Sequence, residues 1–583
     1  MAAGDAIDTW VPDSTLSVRF PIYTRANVGE VFPDPVTPLT FDIGLWMSEL
    51  GWRDALVRIG ALDANELPPD EFSILGVVGG YCYLNASIVR LFGERAPGLS
   101  WRLIDTQLFG TQPGIPAYEE RDGDIRPDLS DRIGATFDWA LSVERLSNLT
   151  ELTQDLRDTK RLRDERPELR SLPDAALVER SRALVELHRE LFAHHLFTTS
   201  MATVPVGIIQ DACTAIGRPD LVLVLIAGLG EVDSAAPSMA MWELGRMVVA
   251  APELTAAFDD GVDELLDRLD QSGSQAAQQF CRAFAVFVHD YGSRGPNEWE
   301  ARSPTWETCP QLALAAIERM RLAPESASPR HHQAERARKR EAAAAELLAA
   351  VADDPTTHAQ AAAALRAATV WLPARERTKS NNVRLVHEIR MTARELGRRM
   401  LERGAFEAIE DFGFLRWNEL EGRFLANPNA FTPEIRRRKA QYDALGQLEP
   451  PFVFAGRPPP LSRWPSRGAA GFRQLTTGSS LQGLPGCPGV AEGRAKVVLD
   501  SHDPTALDPG DILVAPITDP SWTPLFVPAA AVVVDVGAAL SHAVIVSREL
   551  GIPCVVSVTG ATSSIPDRAR VRVDGTTGVV TLL

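Results

Sequence analysis

The sequence predicts a multidomain chain: a large, mainly α-helical body followed by a small C-terminal β/α domain. Three observations predict it. The chain has 583 residues, enough for several domains of ordinary size. A long central stretch repeats apolar residues at helical spacing. After it, a segment rich in Pro, Gly and Ser gives way to short β-branched runs.

The elements follow in order. Residues 1–50 read as loop and strand, because "LSVRFPIYTRANVGEVFPDPVTPLT" is rich in Pro, Thr and Val. From about Phe41 to Gln447 the pattern is mostly helical. "SDRIGATFDWALSVERLSNLTELTQDLRDTKRLRDE" and "HHQAERARKREAAAAELLAAVADD" combine strong helix formers with helical periodicity. The charges of the second stretch are those of a solvated helix face. "AGRPPPLSRWPSRGAAGFRQLTTGSS", residues 455–480, has the composition of a linker that is stiff at its Pro-rich start. Beyond it, "GRAKVVLD", "GDILVAPI" and "AAVVVDVG" read as strands, and "RVRVDGTTGVVTLL" as a closing hairpin. The expected domains are 1–454, a helical body; 455–480, a hinge; and 481–583, the β/α module.

Composition narrows the function classes. The net charge is −18, which disfavours nucleic acid or an anionic membrane as a partner. No run approaches the roughly 18 apolar residues of a membrane span, and "MAAGDAIDTW" lacks the basic start of a signal peptide. The six cysteines are scattered without a CxxC pair. A disulfide framework or zinc site is therefore not expected, and a reducing, cytoplasmic setting fits. His194–His195 and His331–His332 have no acidic partner at metal-ligand spacing, so they read as structural or exposed and no metal site is expected.

"DVGAALSHAVIVSRELGIPCVV", Asp535 to Val556, is the most informative stretch. "AAVVVDVG" is a buried strand, and the helix after it has Ser541 as N-cap, Gly551 at its C-terminal end and Pro553 to stop it. "CVVSV" then forms the next strand. His542 falls in the first helical turn, on what reads as a surface-facing helix start. The positive end of the helix dipole disfavours an imidazolium there. A neutral ring keeps a nitrogen lone pair, and the same N–H groups can receive an anion. Such a histidine could carry a covalent intermediate between two half-reactions, or it could merely cap and pack.

The flanking sequence bears on this choice. "GAALSHAVIVSRELGIPCVV", "GLPGCPGVAEGRAKVV" and "LVAPITDPSWTPLF" together resemble the mobile phosphohistidine domain of phosphoenolpyruvate-utilising enzymes and related dikinases. One departure is Gly537-Ala538-Ala539, where that family often has paired glycines. The body resembles the acceptor-binding domain of rifampicin phosphotransferases at three places: "TRANVGEVFPDPVTPLT", "VHDYGSRGPNEWEARSPTWETCP" and "ARERTKSNNVRLVHEIR". Ser293 stands where that family usually has histidine. Two parts of full-length members, an ATP-grasp domain and a pyruvate-binding TIM barrel, are not recognised in the sequence.

The resemblance implies a phosphotransferase component. His542 would carry the phosphoryl group, received from ATP with Mg²⁺ on a separate ATP-grasp-type nucleotide-binding protein. The module would swing on the 455–480 hinge to a small hydroxylated organic acceptor in the helical body. Arg375 and Lys379 match the family's basic pair; spaced by four, they share a helix face and would hold the departing phosphoryl group. Glu376 would accept the acceptor's proton or simply pair with a nearby Arg, with His387 as a spare base. Arg294 and Glu298 would line the acceptor pocket or brace it as an ion pair. Asn27 and Glu30 would contact the acceptor or make only turn hydrogen bonds. The alternatives are a binding or regulatory protein that has lost phosphoryl transfer, or a lyase or isomerase reusing the fold. No "GxxxxGK[ST]" occurs, so the chain alone is not expected to bind ATP tightly.

Overall fold

The computed structural model describes residues 10–110, 112, 114–230, 232–325, 328–467, 474–499, 507–518, 522–537 and 541–583. It is mostly helical, with a mixed sheet at the C-terminus. The chain forms two compact units. Unit 1 comprises Met1–Val204, Trp299–Ser303 and Thr378–Gly471; unit 2 comprises Pro205–Glu298, Pro304–Arg377 and Phe472–Leu583.

Unit 1 is built on helices such as Trp46–Ile59, Pro127–Ser142 and Thr150–Asp164. It also contains a sheet that periodicity did not reveal. Strands β1 (Ile22–Thr24), β2 (Leu75–Val78), β3 (Tyr81–Asn85) and β4 (Val453–Ala455) pair antiparallel in the order β2-β3-β1-β4. β1 and β4 meet through the register Tyr23↔Phe454, although hundreds of residues separate them in sequence. Tyr23, Tyr81, Tyr83, Phe454 and Trp464 form an aromatic core beside this sheet. The first part of the expected hinge therefore lies on unit 1: β4 ends at Ala455, Leu461–Arg463 make a helical turn, and Trp464 is buried. Residues 468–473 of the hinge lie outside the described residues.

Segment Trp299–Ser303 is tied into unit 1 by buried polar groups. The Glu300 carboxylate accepts from Thr37 N and Thr37 Oγ1 at 3.2 and 2.7 Å, from Thr40 Oγ1 at 2.7 Å and from Arg302 N at 3.2 Å. Arg390, fully buried, donates to the Glu300 and Ala301 carbonyls. A buried carboxylate is tolerable only when its lone pairs are met in this way.

Unit 2 contains an eight-stranded mixed sheet. Its strands are β5 (Ser480–Gln482), β6 (Leu484–Cys487), β7 (Val490–Val497), β8 (Ile512–Ala515), β9 (Ala531–Val534), β10 (Cys554–Val556), β11 (Arg570–Asp574) and β12 (Val579–Leu582). The order is β5-β12-β11-β7-β8-β9-β10-β6, with β7 to β10 mutually parallel. The expected hairpin is β11–β12, and Asp574 Oδ1 closes its turn by accepting from Thr576 and Thr577 N–H.

β8, β9 and β10 are buried on both faces, which is why they read as unbroken apolar runs. Alternation sorts them into two cores. Leu513, Val532, Val534, Cys554 and Val556 join a core with Met241, Trp242, Phe284 and Met320 of the helices Ala236–Ala250, Gln275–Tyr291 and Pro310–Leu322. Ile512, Val514, Val533 and Val555 face a second core with Val571, Val573 and Val580.

Candidate active site

His542 opens the helix His542–Leu550, between β9 and β10. The local sequence explains the unit. Gly551 takes a left-handed conformation (φ 71°) and ends the helix, with Ile552 N donating to Ser547 O. β10 then pairs parallel to β9. The loop before the histidine is pinned from outside: Thr562 N and Oγ1 donate to the Asp535 carboxylate, and Ser557 Oγ donates to the Gly537 carbonyl. Ala538 and Ala539 lie outside the described residues.

Two expectations about this junction are corrected. Ser541 has the extended N-cap conformation, but its side chain makes no cap hydrogen bond; Oγ is buried without a partner among the described residues. And His542 does not face the surface: it is 7% exposed. The Phe526 ring meets it edge-on at 5.9 Å, and its Nδ1 lies 3.4 Å from Thr518 Oγ1. Packing against Phe526, which a strand-helix-strand pattern cannot reveal, accounts for the burial.

The arrangement bears on nucleophilicity. When the Thr518 hydroxyl accepts from Nδ1–H, the imidazole lone pair resides on Nε2, the atom that would attack phosphorus. The first-turn N–H groups of the helix have no intrahelical acceptors, and with the dipole they favour an anion beside the ring. At the opposite end, Arg336 of the helix Pro329–Ala350 donates to the Arg548 carbonyl, a cation where the helix dipole favours one. Thr518 and Phe526 open and close the "TDPSWTPLF" stretch, which was their only signal in the sequence; nothing local singles out Arg336.

The residues expected on the acceptor side are distributed over both units. Arg375 and Glu376 belong to unit 2 and Lys379 to unit 1, although all three lie on the single helix Pro355–Glu402. Arg375 pairs with Glu376, which is buried. Arg294 Nη1 donates to both Glu298 oxygens at 3.0 Å, in a pair that is 5% and 1% exposed. Arg294 and Glu298 thus form an internal ion pair, one of the two arrangements their sequence allowed. The glycines around Arg294 are needed for close backbone approach: a Cβ on Gly292 would come within 2.2 Å of Val288 O, and one on Gly295 within 2.4 Å of Pro304 O. In unit 1, Asn27 is exposed with φ 66°, and Glu30 is half-buried in the short helix Val28–Val31. His387 is buried, 3.3 Å from Arg390 Nη1.

The other histidines have structural surroundings. His194 Nδ1 is 2.8 Å from Asp155 Oδ2, an acidic partner that sequence spacing had not indicated. Hydrogen bonding and charge from Asp155 outweigh burial and raise its pKa. His332 is pushed down by burial and by nearby Arg336. Among the described residues, no group of His, Cys, Asp and Glu is arranged to hold a metal ion, and no helix is long and apolar enough to cross a membrane.

The β–α–β unit that places His542 at a helix start lies within the part of the chain that matches a known domain family. Residues 507–578 match the PEP-utilising enzyme mobile domain, and residues 194–376 match the rifampicin phosphotransferase fourth domain. The chain is 30% identical over 446 residues to a rifampicin phosphotransferase of a Streptomyces species, covering 70% of this chain and 49% of that protein. It is 30% identical over 336 residues to the rifampicin phosphotransferase of Streptomyces sviceus, covering 57% and 37%. It is also 32% identical over 367 residues to an uncharacterised protein of Mycobacterium tuberculosis, covering 61% and 38%. The chain thus carries a PEP-utilising enzyme mobile domain and resembles the rifampicin phosphotransferases, while spanning half or less of these curated relatives.

Proposed function

We propose that the chain is the phosphoryl-carrying and acceptor-binding component of a phosphotransferase, with His542 as the carrier. The observation that supports this most is a histidine in the first turn of a helix, inside a β–α–β unit of mobile-domain sequence. In the first half-reaction ATP and water give AMP, orthophosphate and phosphohistidine: the Nε2 lone pair forms the N–P bond to the β-phosphorus as the α–β bridge oxygen leaves with AMP, and water cleaves the β–γ bridge to release orthophosphate. In the second, an acceptor hydroxyl oxygen attacks phosphorus, the N–P bond returns its electron pair to nitrogen, and the hydroxyl proton passes to a carboxylate.

Arg375 and Lys379 are proposed to hold the phosphoryl oxygens during the second step, where positioning and charge stabilisation are most of what the transfer needs. Glu376 is proposed as the proton acceptor. Arg294, Glu298, Asn27 and Glu30 are proposed to shape or contact the acceptor site. The acceptor class is a small hydroxylated organic molecule. ATP and Mg²⁺ are assigned to a separate nucleotide-binding protein.

Delivery would require the module to travel on the 455–480 segment. In the present conformation the His542 helix packs against Pro329–Ala350, and Arg319 pairs with Asp508 at 3.3 Å. Travel would separate these contacts. The test is label transfer from [β-³²P]ATP with a candidate nucleotide-binding partner present. The chain should retain label and the His542→Ala variant should not; equal labelling of the two would sink the proposal.

A further inference from the structure

Unit 1 contains a group of aromatic side chains that the proposed phosphoryl chemistry does not use. His188, Phe192 and His195 lie along one stripe of the helix Asp174–Ala215, and Trp299 stands against it. His188 and Trp299 stack with centroids 6.3 Å apart, and the Phe192 ring is edge-on to His188, His195 and Trp299 at 5.9 to 6.0 Å. Phe192 and His195 are half-buried, whereas His188 is 0% exposed and Trp299 7%, so the cluster runs from the surface of the helix inward.

Its inner end is polar in a specific way. His188 Nδ1 lies 3.2 Å from the Ile43 carbonyl, which can only accept, so Nδ1 carries the proton and Nε2 presents a lone pair. Burial pushes the ring's pKa down to about 4 and keeps it neutral. Nε2 of His188 and the indole N–H of Trp299 are both buried without a hydrogen-bond partner among the described residues. One needs a donor and the other an acceptor, and leaving either unmet is costly. A hydroxyl group is both. The backbone beside Trp299 is held in place, because Glu300 is fixed by Thr37 and Thr40 and the Glu300 and Ala301 carbonyls by Arg390. His195 Nδ1 is 3.1 Å from Thr378 Oγ1, one residue before Lys379, so the stripe runs up to that part of the chain.

We propose that His188, Phe192, His195 and Trp299 form a subsite for a flat aromatic ring bearing a hydroxyl group, which donates to His188 Nε2 and accepts from Trp299 Nε1. The assignment rests on the reading that the chain binds a hydroxylated acceptor, and it narrows that acceptor to a phenol-like class.

The test uses the full chain with p-cresol as probe and 4-methylanisole, which cannot donate, as control, followed by ligand-observed NMR. p-Cresol should bind about tenfold more tightly than 4-methylanisole, the value of one buried hydrogen bond. His188→Phe should abolish that preference, and His188→Gln, which keeps an acceptor, should restore part of it. Trp299→Phe should weaken both ligands. In the unmodified chain, p-cresol should move the ¹⁵N resonance of His188 Nε2, a readout that survives if a variant fails to fold. Equal affinity for the two probes, an undiminished preference in folded His188→Phe, or an unmoved resonance would each overturn the subsite. His542→Ala should bind p-cresol as the unmodified chain does. Retained preference with no phosphoryl transfer would fault the phosphotransferase reading alone, and transfer without preference the subsite alone.

Discussion

Glu300→Gln isolates the contact that holds the Trp299–Ser303 segment. Glu300 Oε1 accepts from Thr37 Oγ1, Thr40 Oγ1 and Arg302 N, and Oε2 from Thr37 N. The amide oxygen of Gln can replace Oε1, but its NH₂ would face the Thr37 N–H, donor against donor. One buried unsatisfied pair costs about 1–3 kcal/mol, and the remaining bonds lose charge assistance. The expected loss is about 3 kcal/mol, read by urea unfolding. A double-mutant cycle of Glu300→Ala with Thr40→Val should show coupling of about 1 kcal/mol or more, because each single change removes the hydrogen bond the two residues share. A loss under about 0.5 kcal/mol, or an additive cycle, would show that the segment is held by something else.

Three further outcomes are expected. Glu298→Gln leaves Arg294 buried without its counter-charge and should cost about 3–5 kcal/mol, whereas replacing both residues by apolar ones of similar volume should recover most of it; a neutral single variant would contradict the burial. His188, held near pKa 4 against an ordinary 6.5, contributes stability that is full above about pH 6.5 and is lost as pH falls toward 4, because the unfolded state binds the extra proton. Asp13, raised to about 6 by burial, acts in the opposite sense, and subtracting the His188→Phe curve removes it. The difference should change by about 3 kcal/mol between pH 7 and 4, and a flat difference would refute a neutral buried ring. Arg375→Ala or Lys379→Ala should slow discharge of phosphohistidine to the acceptor while leaving loading intact; equal loss in both steps would remove them from the acceptor side.

What was legible in the sequence was local. The strand "AVVV", the left-handed Gly551, Pro553 and the closing hairpin are specified by residues within a few positions of one another, and each formed as its chemistry requires. What was not legible depends on distant contact. Nothing in the sequence pairs β1 with β4, because each is three residues long and finds its partner across most of the chain. Glu300 looked like one acidic residue in a charged motif; its role comes from Thr37 and Thr40, some 260 residues away in sequence. The burial of His542 follows from Phe526, and Ser541 takes the cap conformation while its hydroxyl makes no cap bond. Arg294 and Glu298 are spaced to pair, but only their burial shows the pair to be internal.

The central claim is that His542 becomes phosphorylated, and the most direct measurement is mass spectrometry that avoids acid. The chain would be incubated with ATP, Mg²⁺ and a candidate nucleotide-binding protein, digested at neutral or basic pH, and mapped for phosphate. The account expects one phosphoryl group on the peptide that contains His542, absent when the partner is omitted and lost on adding an acceptor. Phosphate on another residue would contradict the carrier role, and loading by ATP without any partner would contradict the assignment of the nucleotide to a separate protein.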